Sequence, residues 1–500
     1  MTRTARWIGI SAFLLFAITG GGRIVGSDEV TMLELARSML SGRIDVPAGA
    51  TLEGLDGRHY TKNAPGLAML ALPLVGVAEI ATRAAGLPPE RRVLAVRFVA
   101  SFFNAAVAAL LLAVFYLVAR GLAVRAGPAL AATLLLGLTS PLWVYAKSFM
   151  AEPLQGLGLL LALWGAVRTS EDPRRPWMAA AGFLLAVLVK PSMAPIAMMC
   201  LWPLWIRLGR GPWITGGIVV LSVVPLLVYN FARFGNPFET GYGAQATPEA
   251  FSTPLWVGLY GLLLSSGKGV LWFAPALWNA PSGWRAMKHA GGPRRLAATA
   301  VAMATLMALG LYGTFEHWAG DGSYGPRYLV PLLPLLFLGV AFALEGASRA
   351  RRRLAWLLGL AGLLVQIGGV SIHFGAQMRE AGDFPYSLPL KDPRFMSDSH
   401  FNPAFSPITE HWRMLIRNAG EHLRGRAPRL SGAGDADPRV GVSAEDQERL
   451  LRALDYWWLY TGYAGLPRLP VALALGALLG LLAWAIGRLR TAYEDEAIGA

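Results

Sequence analysis

Apolar runs long enough to cross a bilayer recur along the whole chain, at about 7–25, 97–119, 128–147, 153–168, 177–190, 192–206, 213–230, 269–284, 296–315, 328–345, 354–372 and 468–487. Polar connections separate them, and alternate connections are rich in arginine and lysine. Arg120 and Arg125 mark one; Arg168, Arg174 and Arg175 the next; then Arg207 and Arg210; then Arg285, Lys288, Arg294 and Arg295; then Arg349, Arg351, Arg352 and Arg353. Basic residues are retained on the cytoplasmic side of a membrane. These connections are therefore assigned to the cytoplasm, with Arg3 and Arg6 before the first run and Arg488 and Arg490 after the last. The alternation holds only if the apolar segment 66–81 does not cross, so that segment is read as an interfacial or re-entrant helix interrupted by Pro73. The junction of two short runs at Lys190-Pro191 sets the parity of everything that follows it.

This pattern predicts an all-α polytopic membrane protein of about twelve transmembrane helices, with surface helices on the outer face. Residues 1–372 form the transmembrane domain, 373–467 a small extracytoplasmic module, and 468–500 the last transmembrane helix with a cytoplasmic tail. Within the module, Ser431 to Pro438 reads as a linker and Ser443 to Leu454 as an acidic helix. Composition agrees: 54% of the 500 residues are hydrophobic and only 15% charged, and the mean hydropathy of +0.45 exceeds what a soluble core needs. A cleaved signal peptide competes for the first run, but Gly20-Gly21-Gly22-Arg23 is a poor cleavage site. The net charge of +14 sits in topological clusters and not along one face, which argues against nucleic acid as a partner. Cys200 stands alone in an apolar run, so no intrachain disulfide can form.

The outward loops become 26–96, 231–268, 316–327 and 373–467, and they hold six of the seven histidines. In the first, Gly26-Ser27-Asp28-Glu29 places two adjacent carboxylates at the membrane boundary, where ionisable groups usually have work to do. The ordinary reading is an acidic first turn favoured by the helix macrodipole, since Val30, Leu33, Leu35, Ala36, Met39 and Leu40 follow at helical spacing. Further on, Asp56 to Gly66 runs from a turn through Tyr60-Thr61-Lys62-Asn63-Ala64-Pro65-Gly66 into the next apolar segment. Glu152-Pro153 opens one run, Lys190-Pro191-Ser192 joins two, and His317-Trp318-Ala319-Gly320-Asp321-Gly322-Ser323-Tyr324-Gly325-Pro326-Arg327-Tyr328 leads into another. Neither the spacing of His400, His411 and His422 nor any paired cysteine matches a zinc site, and no Walker A or dinucleotide fingerprint is present.

The order of span, acidic pair, amphipathic helix and Tyr-x-Lys-x-x-Pro-Gly resembles the GT-C superfamily of polyprenyl-phosphate-dependent glycosyltransferases. Protein O-mannosyltransferases and lipid A aminoarabinose transferases are its familiar members. Their Lys-Pro-Pro-Leu or His-Pro-Pro-Leu segment is similar to Lys62 to Leu67, with Asn63-Ala64-Pro65-Gly66 marking a divergent branch. The segment before Tyr328 is similar to a Trp-x-Gly-Gly-x-x-Tyr-Gly-Pro-Arg-Tyr element of uncharacterised bacterial relatives, with Asp321 in place of a glycine. The pattern covers most of residues 7–372.

The resemblance implies a membrane glycosyltransferase whose donor is a polyprenyl-phosphate sugar and whose acceptor is a lipid, glycan or protein outside the cytoplasm. It implies a multi-pass protein of a bacterial inner membrane, in contact with membrane lipids, with both termini cytoplasmic. Transfer needs a base for the acceptor hydroxyl and cations for the departing phosphate. Asp28 fits the first role, with Glu29 as the fallback, and Arg327, Lys190 and Lys62 fit the second. The ordinary readings are an arginine snorkelling to the interface and a lysine ending a helix before proline. Glu152 is a second acid or, with Asp28, a ligand for a divalent cation, the one cofactor considered. Tyr60, His317 and Tyr324 are the expected cavity-lining residues. The rival functions are a transporter or flippase of lipid-linked saccharide, which would place paired ionisable groups near the midplane and show internal repeats, and a non-catalytic scaffold built on the 373–467 loop.

Overall fold

Residues 2–48, 51–172, 174, 176–383, 388, 392, 394–431 and 443–498 are described by a computed structural model. Among them the only sheet is a two-stranded ladder that pairs Leu52 with Tyr60 and Glu53 with His59; the other regular elements are helices. Most of the expected linker, 432–438, lies outside the described residues.

Among the described residues, seven helices are long and apolar enough to cross a membrane: Gly66–Ala84, Pro89–Gly121, Gly211–Phe234, Gly292–Thr314, Arg327–Leu344, Arg349–Ser371 and Arg468–Ile498. Apart from the 20-residue Glu152–Glu171, the remaining apolar runs form shorter helices, because prolines and glycines interrupt them near one end. The 128–147 run becomes Ala126–Leu138 followed by the single turn Leu142–Tyr145, and the 269–284 run becomes Val270–Phe273, a 3-10 turn over Pro275–Asn279 and Ala280–His289. Length alone lets Gly66–Ala84 cross, in contrast to its interfacial reading. Its C-terminal part, however, carries Glu79, which pairs with Arg37 at 2.7 Å and Arg83 at 3.6 Å, while Arg37 also pairs with Glu34. A patch of four charges is the physical argument for laying this helix along a water boundary.

The ends of Arg3–Ile18, Phe103–Gly121 and Arg468–Ile498 meet through ion pairs. Arg3 at the start of Arg3–Ile18 pairs with Asp495, and Arg120 at the end of Phe103–Gly121 pairs with Glu496, both acids near the end of the last helix. Trp7 and Trp484 stack edge to face at 4.9 Å between the first and last helices. Elsewhere the helices meet through small residues: a Cβ on Gly182 would lie 2.2 Å from the Ala162 nitrogen, so Glu152–Glu171 and Trp177–Val189 touch backbone to backbone. Large side chains such as Trp213 and Trp356 remain exposed on outward helix faces, where only lipid would cover them.

The region after residue 373 folds back onto the far ends of the helices. The Asp455 N–H donates to the Ser371 carbonyl at 2.8 Å and the Trp457 N–H to the Gly20 carbonyl at 2.8 Å. The Asp455 carboxylate takes Lys147 at 2.8 Å and Arg23 at 3.1 Å. That one aspartate thus ties the end of the first helix and the segment before Glu152 to the module.

Candidate active site

Gly26 caps the Ser27–Met39 helix, which puts Asp28 and Glu29 in its first turn, on different sides. Glu29 is 2% exposed, and its two oxygens accept from the Gly26 N–H at 2.9 Å and the Phe149 N–H at 2.6 Å. Burial pushes its carboxyl above the usual value, against the pull of those backbone donors. It fastens the helix start to the segment leading into Glu152, and it lines a cavity with Arg23 and Lys147. Asp28 faces the other way.

Four further side chains gather around Asp28, each from a different part of the chain. Arg327 donates from its terminal nitrogen to Asp28 at 3.2 Å and from Nε to Glu152 at 2.6 Å. Lys62 stands 3.9 Å from the other Asp28 oxygen. Lys190 lies in the field of Arg327, Glu152 and Asp28 and sits 4.6 Å from the centroid of the Tyr328 ring. Tyr328 in turn stacks on Tyr312 at 4.4 Å, whose hydroxyl meets that of Ser192 at 3.1 Å. A cationic rim with an aromatic wall results.

Local sequence explains each placement. Glu152 opens its helix and is followed by Pro153 in the first turn, so the carboxylate also favours the positive end of the macrodipole. Gly66 lets the chain after Lys62 press on the end of the Trp177–Val189 helix, since a Cβ there would lie 2.6 Å from the Leu188 carbonyl oxygen; this sets Lys62 near Lys190. Arg327 is delivered by a tight turn in which Gly320, Asp321 and Gly325 have φ of 72°, 49° and 58°. Aspartate tolerates the left-handed region better than most residues, which explains how Asp321 can stand at this point of the turn.

Burial raises the Asp28 carboxyl, but Arg327 and then Lys62 outweigh it and hold the group below its ordinary value. The resting carboxylate is therefore ionised and a weak base, because its charge is shared with the guanidinium. A divalent cation does not fit this donor set. Both carboxylates already hold Arg327, Lys62 and Lys190 add positive charge, and among the described residues no group of three or more His, Cys, Asp or Glu is placed to hold a metal.

His317 borders the cluster: its Nδ1 meets Asp321 at 3.1 Å and its Nε2 meets the Gln245 amide at 3.2 Å and Glu316 at 3.3 Å. Burial lowers its imidazole, but the hydrogen bond and charge of Asp321 leave it above the ordinary value. Tyr60 does not reach the cluster's ion pairs; its hydroxyl donates to Asp56 at 2.8 Å and its ring packs on Phe234. Tyr324 lies among Phe273, His411 and Gly369, donates to the Val365 carbonyl at 3.2 Å, and lines a cavity together with Arg23, Glu29 and Lys147. Sequence reading passed over Lys268 and Asp455. A lysine between glycines in Ser265-Ser266-Gly267-Lys268-Gly269, between two apolar runs, was the available signal for the first; nothing local distinguishes Asp455.

No family model matches the chain, and no curated protein matches it. A solved structure of ArnT from Cupriavidus metallidurans, bound to undecaprenyl phosphate, is similar over 99% of this chain and 77% of that chain, with a TM-score of 0.51 and 17% identity. The chain shares the fold of that protein.

Proposed function

We propose that the protein is an integral membrane glycosyltransferase that moves a sugar from a polyprenyl-phosphate donor to an acceptor outside the cytoplasm. The observation that carries this reading is the Arg327 guanidinium set between Asp28 and Glu152, with Lys62 and Lys190 beside it. The fold shared with a protein solved with undecaprenyl phosphate supports the lipid-phosphate donor. The charge bias supports a bacterial inner-membrane setting with both termini cytoplasmic and the cluster outside.

In the reaction, Asp28 takes the proton of an acceptor hydroxyl as its oxygen bonds to the anomeric carbon. The bond from that carbon to the donor phosphate oxygen breaks, and the polyprenyl phosphate leaves with the electron pair. Arg327, Lys62 and Lys190 take up the charge that grows on the phosphate. Arriving phosphate also competes for the Arg327 fork, which loosens its grip on Asp28. The base then strengthens when donor is present, because the cation that depresses it has a second anion to bind.

A saccharide transporter would need its charges along a crossing path, whereas here they meet at the ends of separate helices. The test is purified protein in lipid nanodiscs with a panel of radiolabelled polyprenyl-phosphate sugars. Consumption of one donor by wild type and not by Asp28→Asn is expected. Failure to consume any donor, together with movement of lipid-linked saccharide in sealed vesicles, would replace transfer with transport.

A further inference from the structure

We propose that Lys268 is the positioning residue for Arg327: its ammonium clamps the turn that delivers the guanidinium and ties that turn to the module beyond residue 373. The inference rests on reading Arg327 as a ligand of the lipid phosphate. Lys268 is 3% exposed and donates to the Asp321 carbonyl at 3.0 Å and the Ser323 carbonyl at 2.7 Å, with the Ser323 hydroxyl at 3.5 Å. All three hydrogen-bonding partners are neutral, and burial lowers the amine to about 7 against the pull of the Asp321 and Asp383 carboxylates. Such a group is expensive to keep, and its retention calls for a task that an apolar side chain could not perform.

The task is visible in the turn itself. Between Gly320 and Gly325 three residues have positive φ, including the non-glycine Asp321, and the Arg327 N–H closes back onto the Gly325 carbonyl at 3.0 Å. Such a turn needs outside partners to hold one shape. His317 grips the Asp321 side chain, and Lys268 grips the backbone carbonyls of Asp321 and Ser323. Arg327 must reach Asp28 and Glu152 at once, so a shift of about 1 Å in the turn would cost one of the two contacts.

The glycines around Lys268 supply the second half of the link. A Cβ on Gly267 would lie 1.9 Å from the Ser399 carbonyl oxygen, and the Gly267 N–H donates to the His400 carbonyl at 3.1 Å. The Ser406 hydroxyl donates to the Ser266 carbonyl at 2.7 Å. The Ser265–Gly269 turn is thus seated on the module through its backbone and holds the Arg327 turn through its one charged side chain.

The test uses the full chain in nanodiscs with Lys268→Met, which keeps the stem and loses the donors, Lys268→Gln, which keeps an amide donor, and Arg327→Met. Hydrogen exchange of 320–327 and titration with undecaprenyl phosphate are the two readouts. Lys268→Met should speed exchange in 320–327 by about tenfold, with the long helices unchanged. It should also weaken lipid-phosphate binding by about tenfold, with Lys268→Gln between it and wild type. Unchanged exchange in 320–327, or faster exchange throughout the protein, would overturn the inference. If the segment loosens as expected but Arg327→Met binds undecaprenyl phosphate like wild type, the positioning stands and the phosphate reading of Arg327 falls. Should Lys268→Met not fold, Lys268→Gln carries the same exchange test.

Discussion

Arg327 and Glu152, 175 residues apart in the chain, meet at 2.6 Å between Nε and a carboxylate oxygen, and that glutamate side chain is only 1% exposed. A buried carboxylate that loses its cation is left uncompensated. Arg327→Met should therefore destabilise the protein by about 3–5 kcal/mol, and adding Glu152→Gln should recover most of it. Melting of the single and double variants in detergent checks this; simple additivity would show that the pair is not coupled. Arg327→Lys keeps the charge but loses the fork that spans both acids, so donor affinity should fall by about tenfold or more. An equally good lysine would mean that the residue only reaches for the interface.

Asp28→Asn preserves shape and removes the base, so turnover should fall on the order of 100-fold or more while undecaprenyl phosphate still binds. Glu29→Ala should behave differently, because its oxygens cap Gly26 and hold Phe149. A stability loss of about 1–3 kcal/mol is expected, with the folded fraction retaining most of its turnover. Near-normal turnover in folded Asp28→Asn, with loss in Glu29→Ala, would exchange the two roles.

The two titrating side chains beside the turn respond to pH in opposite senses. His317 has its imidazole raised by Asp321 despite burial, so its contribution to stability is fully present below its ordinary value of 6.5 and is lost as pH rises through the folded value. Asp28 is depressed by Arg327 and Lys62 despite burial, so its contribution is present above 3.8 and is lost only as pH falls below that. Melting temperature should thus decline as pH rises above about 6.5, and His317→Gln should flatten that decline. A decline of equal size in the variant would assign it to other groups.

The crossing parity predicts cytoplasmic behaviour for reporter fusions placed after Arg125, Arg210 and Arg353. A periplasmic signal at Arg353 with cytoplasmic signals at the other two would put an extra crossing in the second half of the chain. A reversal at all three would show that Gly66–Ala84 crosses after all.

Hydropathy and the periodicity of basic connections were enough to read a helical membrane protein, because bilayer length and charge retention act on local stretches of sequence. Asp28, Glu152, Lys190 and Arg327 were legible for a related reason: each is an ionisable residue beside a proline or a helix start at the end of an apolar run, while Lys62 stood out only through the Tyr-x-Lys-x-x-Pro-Gly pattern. Their assembly was not legible. Whether Asp28 or the adjacent Glu29 faces Arg327 depends on helix rotation, and that is decided by the Phe149 N–H, which arrives from 120 residues away. The packing of the Tyr60 ring on Phe234 and the clamp of Lys268 on Asp321 and Ser323 depend on contacts between distant segments. Local pattern specifies which residues can ionise near a membrane; only tertiary packing decides which charges share one space, because that choice is made by backbone groups the pattern does not record.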